Sequence, residues 1–134
     1  MIELVWDADR AGTGTGPGGA ALSVGEGTVW SPDDLLALAA AGCLMRTLLR
    51  LAAIRHLSVL GYVATAQIDS ADASATPTIR VSPCIVVPSD VESREVLALC
   101  REATRASTVA RLLGARLTVD PVVRALHATC AVGG

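Results

Sequence analysis

The chain is predicted to fold as α+β, with a mainly antiparallel sheet. Three observations predict this. Two long segments with helix-start chemistry, about 32–56 and about 90–113, are separated by paired alternating segments rather than by single strands. Strands and helices therefore do not alternate regularly, as a parallel α/β sheet would require. The 134 residues are 51% hydrophobic with a mean hydropathy of +0.51, enough for one sizeable core. That core must be aliphatic, because there is no Phe, one Tyr and two Trp.

In order, "IELVWD" alternates weakly and reads as a short strand. The following "AGTGTGPGGAA" contains a literal G-x-G-x-x-G from Gly14 to Gly19. No helix follows it and Pro17 removes a donor, so a flexible hairpin loop is expected rather than a phosphate cradle. "ALSVGEGTV" returns as a strand. Ser31, Pro32, Asp33 and Asp34 form a helix start: a capping residue, proline at the first helical position, and acids at the positive end of the dipole. The helix is expected to run to about 56, apolar over most of its circumference, with Gly61 as a stop. "YVATAQIDS" and "TIRVSPCIVVPS" alternate as two strands joined by "ADASATP". Ser89 with Glu92 is a capping box for the second helix, which should end at Gly114. "ARLTVDPVV" is a last short strand, and the tail shows no clear element. One domain over 1–134 is expected: N-terminal strands to about 29, strands over about 61–88, and a last strand and tail from 115.

A net charge of −2, from 11 Arg and no Lys against 13 acids, is not that of a nucleic-acid binder. The apolar run from Leu35 to Ile54 is long enough to suggest a membrane span. Arg46 and Arg50 argue against one, each costing about 3 kcal/mol near a bilayer centre. The acidic N-terminus gives no secretory signal, so a cytoplasmic protein is expected. Cys43, Cys84, Cys100 and Cys130 show no C-x-x-C spacing, so no metal is expected and the thiols should be free.

Cys43, Arg46, Thr47 and Arg50 fall on one helical stripe. Guanidinium groups lower a nearby thiol pKa and Thr47 could donate a hydrogen bond, the arrangement that activates a nucleophilic thiolate. A small core cysteine with arginines snorkelling outward fits the same spacing.

The stretch "SPDDLLALAAAGCLMRTLL" resembles the signature helix of the OsmC/Ohr family, the osmotically induced and organic-hydroperoxide-resistance proteins. That helix has Ser or Asn, Pro, an acidic residue, and a cysteine ten positions after the acid, as Asp33 and Cys43 stand here. "GYVATAQI", "PTIRVSPCIVV" and "VESREVLALCREATRASTVARLL" fall where the family places its next strands and second helix, so the likeness runs from about 22 to 119. The resemblance implies an intertwined homodimer, with sheets wrapped around two long helices from each chain. It implies a peroxidatic Cys43 that reduces organic hydroperoxides or hydrogen peroxide. A second-helix cysteine then resolves the sulfenic acid and an external dithiol reduces the disulfide.

Carried over residue by residue, Asp33 matches the acidic position, although family members more often have Glu. Arg10 is the N-terminal candidate for the assisting arginine, and Arg46 could substitute. Asp33 lies about 15 Å along the helix from Cys43, so it would act through an arginine or the partner chain. Where the family shows Cys-Pro-Val-Ser this chain has "STVA", placing Ser107 at the resolving position. Cys100 is two helical turns earlier, about 10.5 Å, beyond disulfide reach of a cysteine that faces position 107. Cys84 and Cys100 are expected to be inert packing, and Cys130 could resolve only if the tail folds back. His56 is expected to cap the first helix, and His127 lies in the tail.

The expected function is a one-cysteine thiol peroxidase using Cys43, Asp33, Arg10 and Arg46. It needs no cofactor, only an external thiol or dithiol as reductant. The alternative is a catalytically degenerate dimer of this fold that binds a small apolar ligand at the subunit interface. Its grounds are the missing second cysteine, Leu44 where the family has Phe, and the uncertain arginine. The expected partners are a second copy of the chain, a hydroperoxide and the reductant, with no nucleic acid or membrane.

Overall fold

The computed structural model describes residues 1–27, 29–70 and 76–126, so His127, Cys130 and most of the "ADASATP" connection lie outside the described residues. The chain is α+β, with one antiparallel and one mixed sheet, and divides into two compact units, Met1–Leu36 and Ala37–Gly134.

The first unit is a three-stranded antiparallel sheet of β1 (Glu3–Ala8), β2 (Ala11–Thr15) and β3 (Ala21–Gly25), in that order. Of the glycine-rich segment expected as a hairpin loop, 16–20 is the hairpin connection to β3, and Ala11–Thr15 is thus the central strand. Its alternation explains this: Thr13 and Thr15 supply β-branched residues, and the glycines between them let the neighbours close in. A Cβ on Gly12 would lie 2.6 Å from the Val5 carbonyl oxygen, so the residue must be glycine. Leu4 and Leu22 flank Gly14, while Trp6 and Val24 flank Gly12. Ile2, Leu4, Leu22, Val24 and Leu35 line an apolar cavity of ≈370 Å³ on this face.

Helix α1 (Pro32–Ile54) starts as its sequence predicts, with the Asp34 N–H donating to Ser31 Oγ at 3.0 Å. It ends before Gly61. His56 takes the left-handed conformation (φ 56°), the His56 N–H donates to the Ala53 carbonyl and the Leu57 N–H to that of Ala52. This is a Schellman ending with histidine where glycine is usual.

In the second unit, β4 (Gly61–Asp69) pairs antiparallel with β5 (Thr78–Val87). The segment expected as one last strand forms two short strands, β6 (Leu117–Val119) and β7 (Val122–Ala125). Both run parallel to β5, along its two halves. Pro121 separates them. Pro83, in the interior of β5, falls opposite that gap, between the residues paired to β6 and those paired to β7.

The helix expected over 90–113 is two helices, α2 (Asp90–Ala106) and α3 (Thr108–Leu113), broken by an extended Ser107 (φ −64°, ψ 136°). Ser89 caps α2 as its spacing predicts, accepting from the Glu92 N–H and donating to the Glu92 carboxylate. One face of α2, at i, i+3, i+4 and i+7, buries Val96, Leu99, Cys100 and Ala103. These pack with Ala40, Leu44, Leu48 and Ala52 of α1 and with Ile79, Val81, Ile85 and Val87 of β5. The core is aliphatic, as the composition requires.

Two expectations about burial need correction. Although α1 is long and apolar enough to cross a membrane, its Leu44–Leu48–Ala52 face lies in this protein core. It is not buried over most of its circumference, however: Leu38, Met45 and Leu49 are 51%, 38% and 39% exposed on the other side. Cys84 is not core. The core face of β5 is formed by its odd-numbered residues, so Cys84 turns to the opposite face, half-buried beside exposed Val63 and Val122.

Candidate active site

Cys43 sits midway along α1, one residue before the fully packed Leu44, which places its thiol at the edge of the core. Opposite it is the break between α2 and α3. The Ser107 hydroxyl donates to Cys43 Sγ at 3.3 Å. Ser107 is 2% exposed and is itself fixed from both sides. Its N–H donates to the Ala103 carbonyl at 2.8 Å and closes α2. Its carbonyl accepts from the Arg111 N–H, and its Oγ accepts from the Ala110 N–H at 3.3 Å, starting α3.

The first N–H groups of any helix lack an intrahelical acceptor. Here those of Thr108 and Val109, at the start of α3, act to lower the Cys43 thiol. Burial pushes the thiol up. The Ser107 hydroxyl, the N–H groups of Val109 and Thr108 and the Arg46 guanidinium act against it, and the result is a thiol held below its ordinary value. The other cysteine of the helical layer behaves oppositely. Cys100 is fully buried, and burial raises its pKa, with Arg101 opposing weakly. Nearby Tyr62 donates to the Ala41 carbonyl at 3.3 Å and is pushed up to about 12, chiefly by burial. Of these three groups, Cys43 is the one whose surroundings favour an anion at a partly exposed position.

The structure brings Cys43 together with Ser107 and, electrostatically, with Arg46, whose side chain is exposed. Thr47, expected as a donor, is buried on its helix, and the hydroxyl that reaches the sulfur is Ser107's. Asp33 stands exposed in the first turn of α1, within the N-terminal unit. Arg10 belongs to the same unit, at the β1–β2 turn, where its guanidinium pairs with Glu26 at 3.1 Å. Spacing along the sequence could not reveal the Thr108 and Val109 donors. The one available sign was Ser107 itself, a helix-capping residue inside an otherwise continuous helical pattern. Among the described residues, no group of three or more His, Cys, Asp or Glu side chains comes together as a metal site.

The arrangement can stabilise and present a thiolate: a sulfur hydrogen-bonded by the Ser107 hydroxyl, with the first N–H groups of α3 and the Arg46 guanidinium favouring its anion, open on one side to a small electrophile.

No curated protein sequence matches this chain. Its fold is shared with several solved structures. An OsmC-like protein from Vibrio cholerae superposes with a TM-score of 0.78 at 14% identity, over 91% of this chain and 97% of that one. An organic hydroperoxide resistance protein OsmC from Legionella pneumophila gives 0.67 at 17%, over 92% and 94%. The organic hydroperoxide resistance protein OhrB of Bacillus subtilis gives 0.67 at 14%, over 92% and 98%. At these identities the likeness is one of fold. The family model for OsmC-like proteins matches residues 25–122, a span that includes Asp33, Cys43, Arg46 and Ser107 and leaves out Arg10. The chain therefore belongs to the OsmC-like protein family.

Proposed function

We propose that the protein is a one-cysteine thiol peroxidase that reduces hydroperoxides through Cys43. The observation that carries this reading is the Cys43 sulfur, partly exposed and hydrogen-bonded at 3.3 Å by a buried serine hydroxyl. Family membership and the description of fold relatives as hydroperoxide resistance proteins support it.

In the proposed reaction the Cys43 thiolate attacks one oxygen of the peroxide. An S–O bond forms and the O–O bond breaks. The other oxygen leaves as alkoxide and takes a proton to become the alcohol, or water when the substrate is hydrogen peroxide. Sulfur is oxidised to the sulfenic acid while the peroxide is reduced. Ser107 supplies no thiol, and Cys100 is locked in the core, so an external thiol attacks the sulfenic acid, releasing water and forming a mixed disulfide. A second thiol equivalent then restores Cys43. Arg46 supports the thiolate. Asp33 and Arg10 are proposed to assist from the N-terminal segment of the same or a partner chain. A reducing cytoplasm suits a protein with free thiols at 43, 84 and 100.

The proposed enzyme is a homodimer. Supporting this, Leu38, Met45 and Leu49 form an exposed apolar stripe on one face of α1, at spacings of seven and four. A second reading is a dimer that binds a small apolar ligand without turnover. The apolar cavity of the N-terminal unit favours it.

Consumption of cumene hydroperoxide and hydrogen peroxide with dithiothreitol tests the choice. The peroxidase reading expects turnover that disappears in Cys43→Ser. Turnover no faster than the dithiothreitol blank, with cumene alcohol bound but not formed, would leave the ligand-binding reading.

A further inference from the structure

We propose that Ser107 is a positioning residue, which holds the Cys43 sulfur as the fixed acceptor of its hydroxyl proton. The inference rests on the thiol chemistry proposed above, but it is read without peroxide.

The argument is one of hydrogen-bond accounting. A serine hydroxyl has one proton and two lone pairs. One lone pair of Ser107 Oγ accepts the Ala110 N–H, the bond that caps α3. The backbone N–H and carbonyl of Ser107 are held by Ala103 and Arg111. At 2% exposure, water does not compete for the hydroxyl. Among the described residues, the acceptor that takes the proton is the sulfur 3.3 Å away. The rotor of an ordinary serine is free, whereas here the cap orients it.

The acceptor role gives this bond its chemical effect. A thiol sulfur is a weak acceptor and a thiolate a strong, charged one, so a donor fixed at this point favours the ionised form. The chain from the Ala110 N–H through the Ser107 O–H to the sulfur runs in one direction, so each bond polarises the next. The extended ψ of Ser107 also frees the next two N–H groups from helical bonding, and both favour the anion of the same sulfur. Arg46 acts from an exposed side chain and is screened by solvent. Ser107 is thus the buried, directional donor of the set, standing where a second cysteine would otherwise be.

The test is the pH dependence of Cys43 alkylation by iodoacetamide, followed at the Cys43 peptide by mass spectrometry. Wild type is compared with Ser107→Gly, Ser107→Ala and Ser107→Thr. Glycine is tolerated at a helix N-cap with little loss, so Ser107→Gly removes the hydroxyl while α3 keeps its start. The midpoint should move up by about one pH unit, with alkylation at neutral pH about tenfold slower. Ser107→Ala should shift it in the same direction at a larger cost in stability, and Ser107→Thr, which keeps a hydroxyl, should restore the wild-type midpoint. An unmoved midpoint in whichever of the glycine and alanine variants melts cooperatively would overturn the inference and leave Ser107 as a helix cap. A shifted midpoint in a protein that consumes no peroxide would refute the peroxidase and leave this inference standing.

Discussion

Replacing Ser107 with cysteine places a second sulfur beside Cys43. The serine oxygen is already 3.3 Å from Sγ, and a disulfide needs about 2 Å between sulfurs, so the pair must close by about 1 Å. The longer C–S bond and a small side-chain rotation cover that distance. The two residues are 64 apart in sequence, so the bond would close a long loop. Chain-entropy bookkeeping for a loop of that length gives a ceiling of about 4 kcal/mol of stabilisation on oxidation. Urea unfolding of oxidised and reduced Ser107→Cys measures the gain, and non-reducing peptide mapping identifies the bond. In the presence of peroxide the same variant should pass from a sulfenic acid to an intramolecular disulfide. Two thiols that stay free under mild oxidation in the folded variant would refute the placement of Ser107 against Cys43, and with it the site.

The exposed stripe of α1 predicts that Leu49→Glu, alone or with Met45→Glu, halves the solution mass measured by light scattering while leaving the helical content unchanged; dimers of undiminished stability would remove the stripe from the interface. The pH dependence of stability follows from the lowered thiol of Cys43. A folded-state pKa below the unfolded value contributes stability that is present above the unfolded thiol range and lost as pH falls through the folded value. Under reducing conditions, wild type should therefore gain on Cys43→Ser as pH rises into the thiol range. Cys100, raised by burial, is common to both proteins and cancels. A difference that shrinks with rising pH would contradict the donor arrangement at the sulfur.

Much of the fold is legible in local chemistry. Ser31 and Ser89 cap helices where their spacing to Asp34 and Glu92 says they should, because capping depends on residues within one turn. The alternation of "TIRVSPCIVVPS" marks strand β5, which ends at Val87, but not which of its faces is buried. The same alternation fits Cys84 on either face, since only the packing partner decides which set of alternate residues points inward. Propensity alone makes the glycine-rich β2 a loop; its place in the sheet comes from neighbours that leave no room for a side chain, as at Gly12. The helix signals end α1 at about 56, close to its observed end at Ile54, but the left-handed stop is His56 rather than Gly61, because the backbone bonds of Ala52 and Ala53 close there.

The site divides in the same way. The helical stripe of Cys43, Arg46 and Arg50 fits either an activated thiol or core packing; the resemblance singles out Cys43 and puts Ser107 at the second-cysteine position. Helical periodicity ran straight through Ser107, so the break between α2 and α3 was not foreseen. The backbone donors that the break exposes belong to tertiary structure and leave no pattern in the side chains.

The most direct measurement is the intact mass of the reduced protein after one equivalent of cumene hydroperoxide with dimedone present. A dimedone adduct on Cys43, absent in Cys43→Ser, is the predicted result. Unconsumed peroxide with Cys43 unmodified would contradict a peroxidatic role for that thiol.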